Sequence, residues 1–533
     1  MNWSARQGPR PTRGNSVEFL IDNEAAWGRL AEEVGSARRS VRCMLFLLDL
    51  PHVRMSFDER IVGRPGAPGS TRLEERLVSA ARRGAEVSLL LNHVEPAISP
   101  VNTSRPVERF FKRRGVPARV RLRRFHTPQA APIHAKVFLV DDAVAFSIGS
   151  MFTQEFFDCT AHHLDDPRRG HVRWRSAIRV PAHDVSARIT GPAVADLDAT
   201  FRLHWNLSGP ADLPEFAPPA EAAQGDLSAQ VTRTLHGGRF PDLPGGETGI
   251  LESYLNAIAN AKEFIYLENQ YLTSDDIVDA LVDALRGNDR LHLIALINNR
   301  PDIPRYTQWQ PEALERLYSS LSGPDAAERI GIYTLWSHEH GSIIRTHVHS
   351  KAAVVDDTWA TVGSANLDGL SLAASEHARA AAWPVRLAGR VVGAFGPENP
   401  DDVRSTEVNL AIADFDGDRP ESTRARIADL RRRLWSEHLG LDLTAPELHD
   451  PPDGGWNSLW RVRAEAKLRR LRRSPGEPSA SRVLPFPRQG TRIPDGVDKS
   501  ATYLRELGVA TDAVEVRERF RSFSFDKGAW KRR

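Results

Sequence analysis

Residues 347–366 read HVHSKAAVVDDTWATVGSAN, and residues 132–151 read PIHAKVFLVDDAVAFSIGSM. Each stretch sets a histidine two places before a lysine, then a four-residue apolar run, an Asp-Asp turn, a second apolar run and a Gly-Ser. Short apolar runs bounded by turn residues read as buried strands, so each stretch predicts a strand that opens on its histidine, a turn and a return strand.

The surroundings of the two stretches match as well, at a spacing of roughly 200 residues, which suits two fused copies of one fold better than a solenoid. NEAAWGRLAEEVGSARRSVRCMLFLLD (residues 23–49) and GILESYLNAIANAKEFIYLENQYL (249–272) each pass from helical spacing to a short apolar run. LEERLVSAARRGAEVSLLLN (73–92) and DDIVDALVDALRGNDRLHLIALIN (275–298) each give an amphipathic helix, a Gly or Gly-Asn stop and an apolar strand. Each copy closes on a Trp-bearing helix, GPAVADLDATFRLHW (191–205) and RARIADLRRRLW (424–435). Strands alternating with helices predict the α/β class, two fused domains each with a mixed sheet flanked by helices. The expected boundaries are a polar N-terminal tail (1–15), a first half (16–207), a Pro/Gly-rich linker (208–246), a second half (247–445) and a basic C-terminal extension (446–533) without a counterpart in the first half.

A chain of 533 residues exceeds one hydrophobic core. Hydrophobic residues at 41% and charged residues at 26% describe an ordinary globular protein. Lys+Arg 71 against Asp+Glu 69 leaves a formal charge of +2, too small for the chain-wide basic field of a nucleic-acid binder. Two cysteines, Cys43 and Cys159, make no disulfide framework and no metal spacing. Neither a signal peptide nor an apolar run of about 18 residues is found, so a cytoplasmic or peripherally membrane-bound protein is expected.

Chemistry enters with the second copy, where His349, Lys351, Asp356, Gly363, Ser364 and Asn366 spell HxKxxxxDxxxxxxGSxN. Six fixed residue types coincide by chance about once in 10⁸ starting positions. On a strand His349 and Lys351 share a face, and Gly363-Ser364 permits close approach of backbone and hydroxyl to a ligand. Lysine, serine and asparagine donors stabilise the charge that gathers on a phosphodiester's non-bridging oxygens without a metal. Two histidines facing one phosphorus supply a nucleophile and an acid. The first copy provides His134, Lys136, Asp141 and Gly149-Ser150, with one extra residue between Asp141 and Gly149, and Phe152 or Met151 where the asparagine would stand.

These residues resemble the HKD motif of the phospholipase D superfamily, and IYLENQYLTS (265–274) is similar to a segment of its phospholipase D branch. The resemblance spans roughly residues 16 to 442 and implies two halves about a pseudo-twofold axis, a phosphohistidine on His134, protonation of the leaving alcohol by His349, a phospholipid substrate and no cofactor or metal. It also implies a carboxylate downstream of each motif that holds a histidine: Asp184 in PAHDVSARI and Glu407 in STEVNLAI. Phosphate binding is expected of Ser150, Ser364 and Asn366, and pocket lining of Asn269 and Gln270. Asp141 and Asp356 enter the candidate catalytic set as partners of nearby basic groups rather than reacting groups. His162, His163, His183, His292, His347 and Tyr271 receive no role.

LWRVRAEAKLRRLRR (459–473) reads as a solvated helix or one drawn to anionic head groups. The stretch from Ser371 to Val403, with Trp383, Val392 and Phe395, reads as a lid or as core. Competing functions are a cardiolipin synthase-like phosphatidyl transferase, a nuclease of the same superfamily, disfavoured by the charge balance, and a catalytically silent lipid-binding scaffold.

Overall fold

The architecture is that of a computed structural model, which describes residues 3–49, 53–56, 71–93, 104–113, 115, 119–126, 132–169, 180–219, 225–301, 303, 305–322, 324–373, 402, 404–417, 420–487 and 499–517. The predicted elements form where the patterns put them. The first half opens with helix Asp22–Ser36 and strand Ser40–Leu45, then helix Leu73–Arg82 and strand Glu86–His93; the second opens with helix Gly249–Asn260 and strand Phe264–Glu268, then helix Asp275–Gly287 and strand His292–Leu296. Gly84 closes its helix at φ +109°, a conformation open to glycine because it lacks a Cβ.

The strands join into one mixed sheet that crosses both halves. In the first half the order from the outer edge is Val120–His126, Glu86–His93, Ser40–Leu45, Val137–Val140, Val144–Ser147, Val185–Thr190 and Thr12–Ile21. The strand Thr12–Ile21 then pairs with Leu227–Leu235. From there the second half runs outward through Glu407–Ala413, Trp359–Gly363, Ala352–Val355, Phe264–Glu268, His292–Leu296 and Ile330–Glu339. The outer pairings are parallel and the inner ones antiparallel in both halves, so the order reads the same from either edge, the pattern a pseudo-twofold axis between Thr12–Ile21 and Leu227–Leu235 produces.

Helices cover both faces. Asp22–Ser36 and Leu73–Arg82 enclose one apolar cluster around Trp27, and Gly249–Asn260 and Asp275–Gly287 enclose its counterpart around Trp359. On the other face the two halves share a single cluster, into which the closing helices Ala193–Leu207 and Pro420–Leu439 place Trp205 and Trp435, both fully buried.

Three expected boundaries need correction. Residues 208–246 are not all linker: Leu227–Leu235 is the central strand that duplicates Thr12–Ile21, its alternation hidden behind the Pro/Gly-rich residues on either side. Residues 208–219 are extended and dock on the first half, Asp212 meeting Arg121 and Arg123 and the Ala217 amide donating to Asp142. The N-terminal residues are not a free tail, because Trp3 and Ala5 are buried and Gln230 bonds to Ala5 in both directions. The extension is neither a solvated nor a lipid-facing helix alone. Helix Trp456–Arg473 buries Trp456 and Trp460 in the shared core, Trp460 lying against Tyr266, Tyr333 and Trp435, and the following strand Val483–Pro485 adds to Ile330–Glu339. Its arginines fill the outer face, which made the whole segment read as polar. From residue 374 to 403 only Asp402 is described, so the lid expectation at Trp383, Val392 and Phe395 lies outside the described residues.

Candidate active site

Each histidine sits on the residues leading into its strand, not within it: His134 and Lys136 precede Val137–Val140, and His349 and Lys351 precede Ala352–Val355. These lead-ins pair across the halves. The amides of His134 and Ala135 both donate to the Thr406 carbonyl, and residues 347–348 form a small parallel ladder with 182–183, extended by the His349 amide donating to the His183 carbonyl. The residue after each cross-half contact is a carboxylate, Glu407 in one case and Asp184 in the other.

The carboxylates therefore serve opposite halves. His134 Nδ1 lies 2.9 Å from both oxygens of Glu407, and His349 Nδ1 lies 2.8 Å from Asp184 Oδ2. A histidine whose Nδ1–H is held by a carboxylate presents the lone pair of Nε2 outward. Glu407 also accepts from the Ser364 and Ser405 hydroxyls, and burial is outweighed by His134, Lys136 and Ser364, so its pKa stays low and it remains a carboxylate. Asp184 has fewer donors, chiefly the Val185 amide, and burial pushes its carboxyl up to about 7.

Both imidazoles are pressed below their ordinary range. For His134 burial leads, opposed by Glu407 and aided by Lys136 and Lys351; for His349 burial leads, followed by Lys351, His347, Lys136 and His134. That each ring feels the other half's lysine places both motifs at one site. Burial and the like charge of Lys351 bring Lys136 down to about 7. Its Nζ is buried without a hydrogen-bond partner among the described residues, while Lys351 donates to the His349 carbonyl and faces Gln270 Oε1. Phe46 packs edge-on to His134 and Phe156 to His349, and the His134 side chain, 17% exposed, marks the side open to solvent.

The two motifs superpose without a gap, which revises the reading of the first Gly-Ser. Val137 pairs with Ser147 as Ala352 pairs with Val362, and the Ile148 amide donates to the Lys136 carbonyl as Gly363 does to Lys351. In this register Gly149 is the counterpart of Ser364, Ser150 of Ala365, Met151 of Asn366 and Phe152 of Leu367. A Cβ on Gly149 would lie 1.9 Å from Asp184 Oδ1, so the first half has no room for the hydroxyl that Ser364 carries. Gly363 is small for a related reason: a Cβ there would meet Asn409 Oδ1 at 2.2 Å, a neighbouring side chain rather than a ligand. Ser150 is thus not a phosphate donor; its hydroxyl donates to Asn23 Oδ1. Phe152 stacks on Trp27 in the core and lines no pocket. The second half keeps Asn366, whose buried Oδ1 has no hydrogen-bond partner among the described residues.

Asp141 and Asp356 stand at the far ends of their strands and do not reach the histidines. Each has positive φ and accepts backbone amides, Asp141 from Arg38, Arg39 and Ser40, and Asp356 from Lys262, Glu263 and Phe264. Basic groups are met by the next residues instead, Asp142 by Arg42 and Asp357 by Arg431. Asn269 braces the loop after Gly-Ser, accepting from the Leu367 amide, and Gln270 alone of the pair turns to a motif lysine. Sequence reasoning missed the bracing groups Ser405 and Asn298, which fix Glu407 and the Val348 backbone and carry no motif of their own.

A family profile described as "Cardiolipin synthase, PLD-like domain" matches residues 254–381. Phospholipase D A of Dictyostelium discoideum is 25% identical over 512 residues, 82% of this chain and 36% of that protein. Phospholipase D alpha 1 of Carica papaya is 24% identical over 374 residues, 53% and 43% of the two chains. The major cardiolipin synthase ClsA of Bacillus subtilis (strain 168) is 22% identical over 402 residues, 72% and 69%. The crystal structure of phosphatidylserine synthase from Haemophilus influenzae Rd KW20 aligns with a TM-score of 0.46 at 11% identity, over 79% of this chain and 86% of its own. The chain spans 36% and 43% of the length of those two phospholipase D relatives. With the full motif in one half and its ungapped counterpart in the other, the chain is similar to phospholipase D and cardiolipin synthase proteins of the phospholipase D superfamily.

Proposed function

We propose that the chain is a phospholipase D-type phosphodiesterase that cleaves the head-group phosphodiester of phospholipids through a phosphohistidine. The observation that supports it most is the pair of imidazoles, each tied at Nδ1 to the other half's carboxylate and each leaving Nε2 free of hydrogen bonds among the described residues. His134 Nε2 attacks phosphorus; the bond to the head-group oxygen breaks, and that oxygen takes a proton from His349. His349 then accepts a proton from water or a second alcohol, which attacks phosphorus and releases His134. Lys136, Lys351 and Asn366 face the phosphoryl oxygens, with Lys136 held in reserve for an anion because no acceptor among the described residues meets it. Glu407, the more anionic carboxylate, stands behind His134 and supports it as the nucleophile. A bound phosphodiester adds negative charge between the lysines and so raises His349 toward the protonated state that its acid role requires.

Incubation with mixed phospholipids and a primary alcohol in the presence of chelator tests this reading. Head-group release with formation of the phosphatidyl alcohol is expected. Cleavage of labelled oligonucleotides without lipid turnover would move the chain to the nucleases, and inertness to both would leave the scaffold. A cardiolipin synthase-like transfer uses the same two half-reactions with a lipid alcohol as acceptor, and the profile match over residues 254–381 keeps it as the second reading. No helix among the described residues is long and apolar enough to cross a membrane.

A further inference from the structure

Behind the catalytic histidines the two halves bury a second cluster, made of residues to which the sequence assigned no role. Asp22, His162 and His183 come from the first half and Glu437 from the second. Asp22, His162 and His183 are buried, the Glu437 side chain is 6% exposed, and one donor atom from each lies within 4.8 Å of the others. The donor separations are 3.1 Å from His183 Nδ1 to Asp22 Oδ1, 3.1 Å from the same nitrogen to Glu437 Oε1, 2.9 Å from His162 Nε2 to Glu437 Oε1 and 3.8 Å from His162 Nε2 to Asp22 Oδ2.

We infer that this cluster is a structural site for one divalent transition-metal ion of the zinc class. A tetrahedral ion with bonds of about 2.0–2.1 Å separates its donors by about 3.3 Å, and the separations along His162 Nε2, Glu437 Oε1, His183 Nδ1 and Asp22 Oδ1, at 2.9, 3.1 and 3.1 Å, lie just below that. His183 provides an independent sign of a ligand. It is fully buried, and both ring nitrogens lie against carboxylates but meet the hydrogen-bond geometry of none. Asp22 Oδ2 and Glu437 Oε2 are likewise buried without a hydrogen-bond partner among the described residues. Two carboxylates aimed at one point in the interior need a cation, and two imidazoles beside them select a transition metal over calcium or magnesium.

The outer ring has the form metal-binding histidines require. The other nitrogen of His162, Nδ1, is 3.1 Å from Asp158 Oδ2, and Asp158 is itself held by Arg169 and the Ala182 amide. The other nitrogen of His183, Nε2, is 3.3 Å from Glu268 Oε1, and Glu268 is held by Tyr266 and His438. A carboxylate behind a ligating imidazole raises its basicity, and the bond to Asp158 fixes the tautomer of His162. Four protein donors, three of them on buried residues, describe a closed structural site rather than one that activates water. Asp22 and His162 also sit at φ +59° and +49°, left-handed conformations that side chains adopt when their surroundings hold them there. No spacing in the chain announces the site, because its ligands are spread over positions 22 to 437. The ion fastens the halves together and pins His183, whose carbonyl receives the His349 amide and whose neighbour Asp184 holds the His349 ring, so it positions the acid histidine without entering the reaction.

The test is metal content, which does not depend on turnover. The full chain, produced with zinc in the medium and dialysed against chelator, is expected to retain about one zinc ion per chain. Reconstitution of chelator-stripped protein with Co2+ is expected to give the visible bands of a tetrahedral cobalt site. Glu437→Gln is expected to abolish both. Asp158→Asn, which keeps all four ligands and removes the charge behind His162, is expected to weaken zinc about 10–100-fold while the chain still folds. Less than about a tenth of an ion per chain in folded wild-type protein, with no cobalt bands and no change of melting temperature on adding zinc, would overturn the site and leave an ion-pair network. Neither result touches the phosphodiesterase reading, since head-group release is scored separately.

Discussion

At the scale of single residues, the two histidines are nearly symmetric in sequence and unequal in surroundings. His134 faces an ionised Glu407 with three side-chain donors, whereas His349 faces Asp184, a carboxyl pushed up to about 7. His134→Ala is therefore expected to abolish the covalent phosphoenzyme with every substrate. His349→Ala is expected to lose about 10²–10⁴-fold on a phospholipid and far less on an activated aryl phosphodiester, whose leaving group needs no proton. Trapping of the intermediate and peptide mapping check this; label on His349 in the His134→Ala variant would reverse the roles.

Lys136 gives the residue-scale pH dependence. Its pKa is lowered to about 7, so its charge is present below that pH and lost above it. Because kcat/KM reports the free enzyme, it is expected to decline as pH rises past about 7. His134, lowered below the ordinary imidazole value of 6.5, keeps its lone pair into mildly acid solution and shifts the acid limb below that value. A kcat/KM on a soluble phosphodiester that stays flat through neutral and alkaline pH would exclude Lys136 as the titrating cation.

At the scale of elements, the strand register decides which residues can serve. Gly149 stands where the second half has Ser364, and Asp184 fills the space a side chain would take. Gly149→Ser would make the halves more alike, yet it is expected to displace Asp184, cost about 1–3 kcal/mol of stability and lower turnover with it. Denaturant unfolding and kcat together check the outcome, and a fully active, equally stable variant would refute the register. The C-terminal helix carries a second expectation of this kind. Trp460 is fully buried against Tyr266, Tyr333 and Trp435, so Trp460→Ala is expected to cost about 3–5 kcal/mol. A loss of under about 1 kcal/mol in denaturant unfolding would mean that the extension is an appendage to the fold.

At the scale of the molecule, the crossed carboxylates make the halves interdependent. Cleaving the chain between Pro219 and Gly225 and separating the pieces is expected to leave each inactive, since each histidine then lacks its carboxylate. Mixing them is expected to restore turnover, with a rate that depends on both concentrations. Turnover by residues 1–219 alone would rule out the shared site.

What the chain determined by itself is everything that local patterns encode. Helix and strand periodicity, the stop glycine at Gly84, the Trp-bearing closing helices and the spacing of His349 to Asn366 are properties of neighbouring residues, and they specified the α/β class, the duplication and the resemblance to the phospholipase D superfamily. Tertiary structure decided what depends on residues far apart meeting. The sequence places Asp184 after the first motif and Glu407 after the second, but backbone ladders between the halves deliver each to the other's histidine. Leu227–Leu235 became a central strand because Thr12–Ile21 and Glu407–Ala413 offered it two open edges, which outweighed the turn-rich residues around it. The meeting of Asp22, His162, His183 and Glu437 has the same origin: no spacing rule spans 415 positions, and only the packing of the two halves brings those side chains to one point.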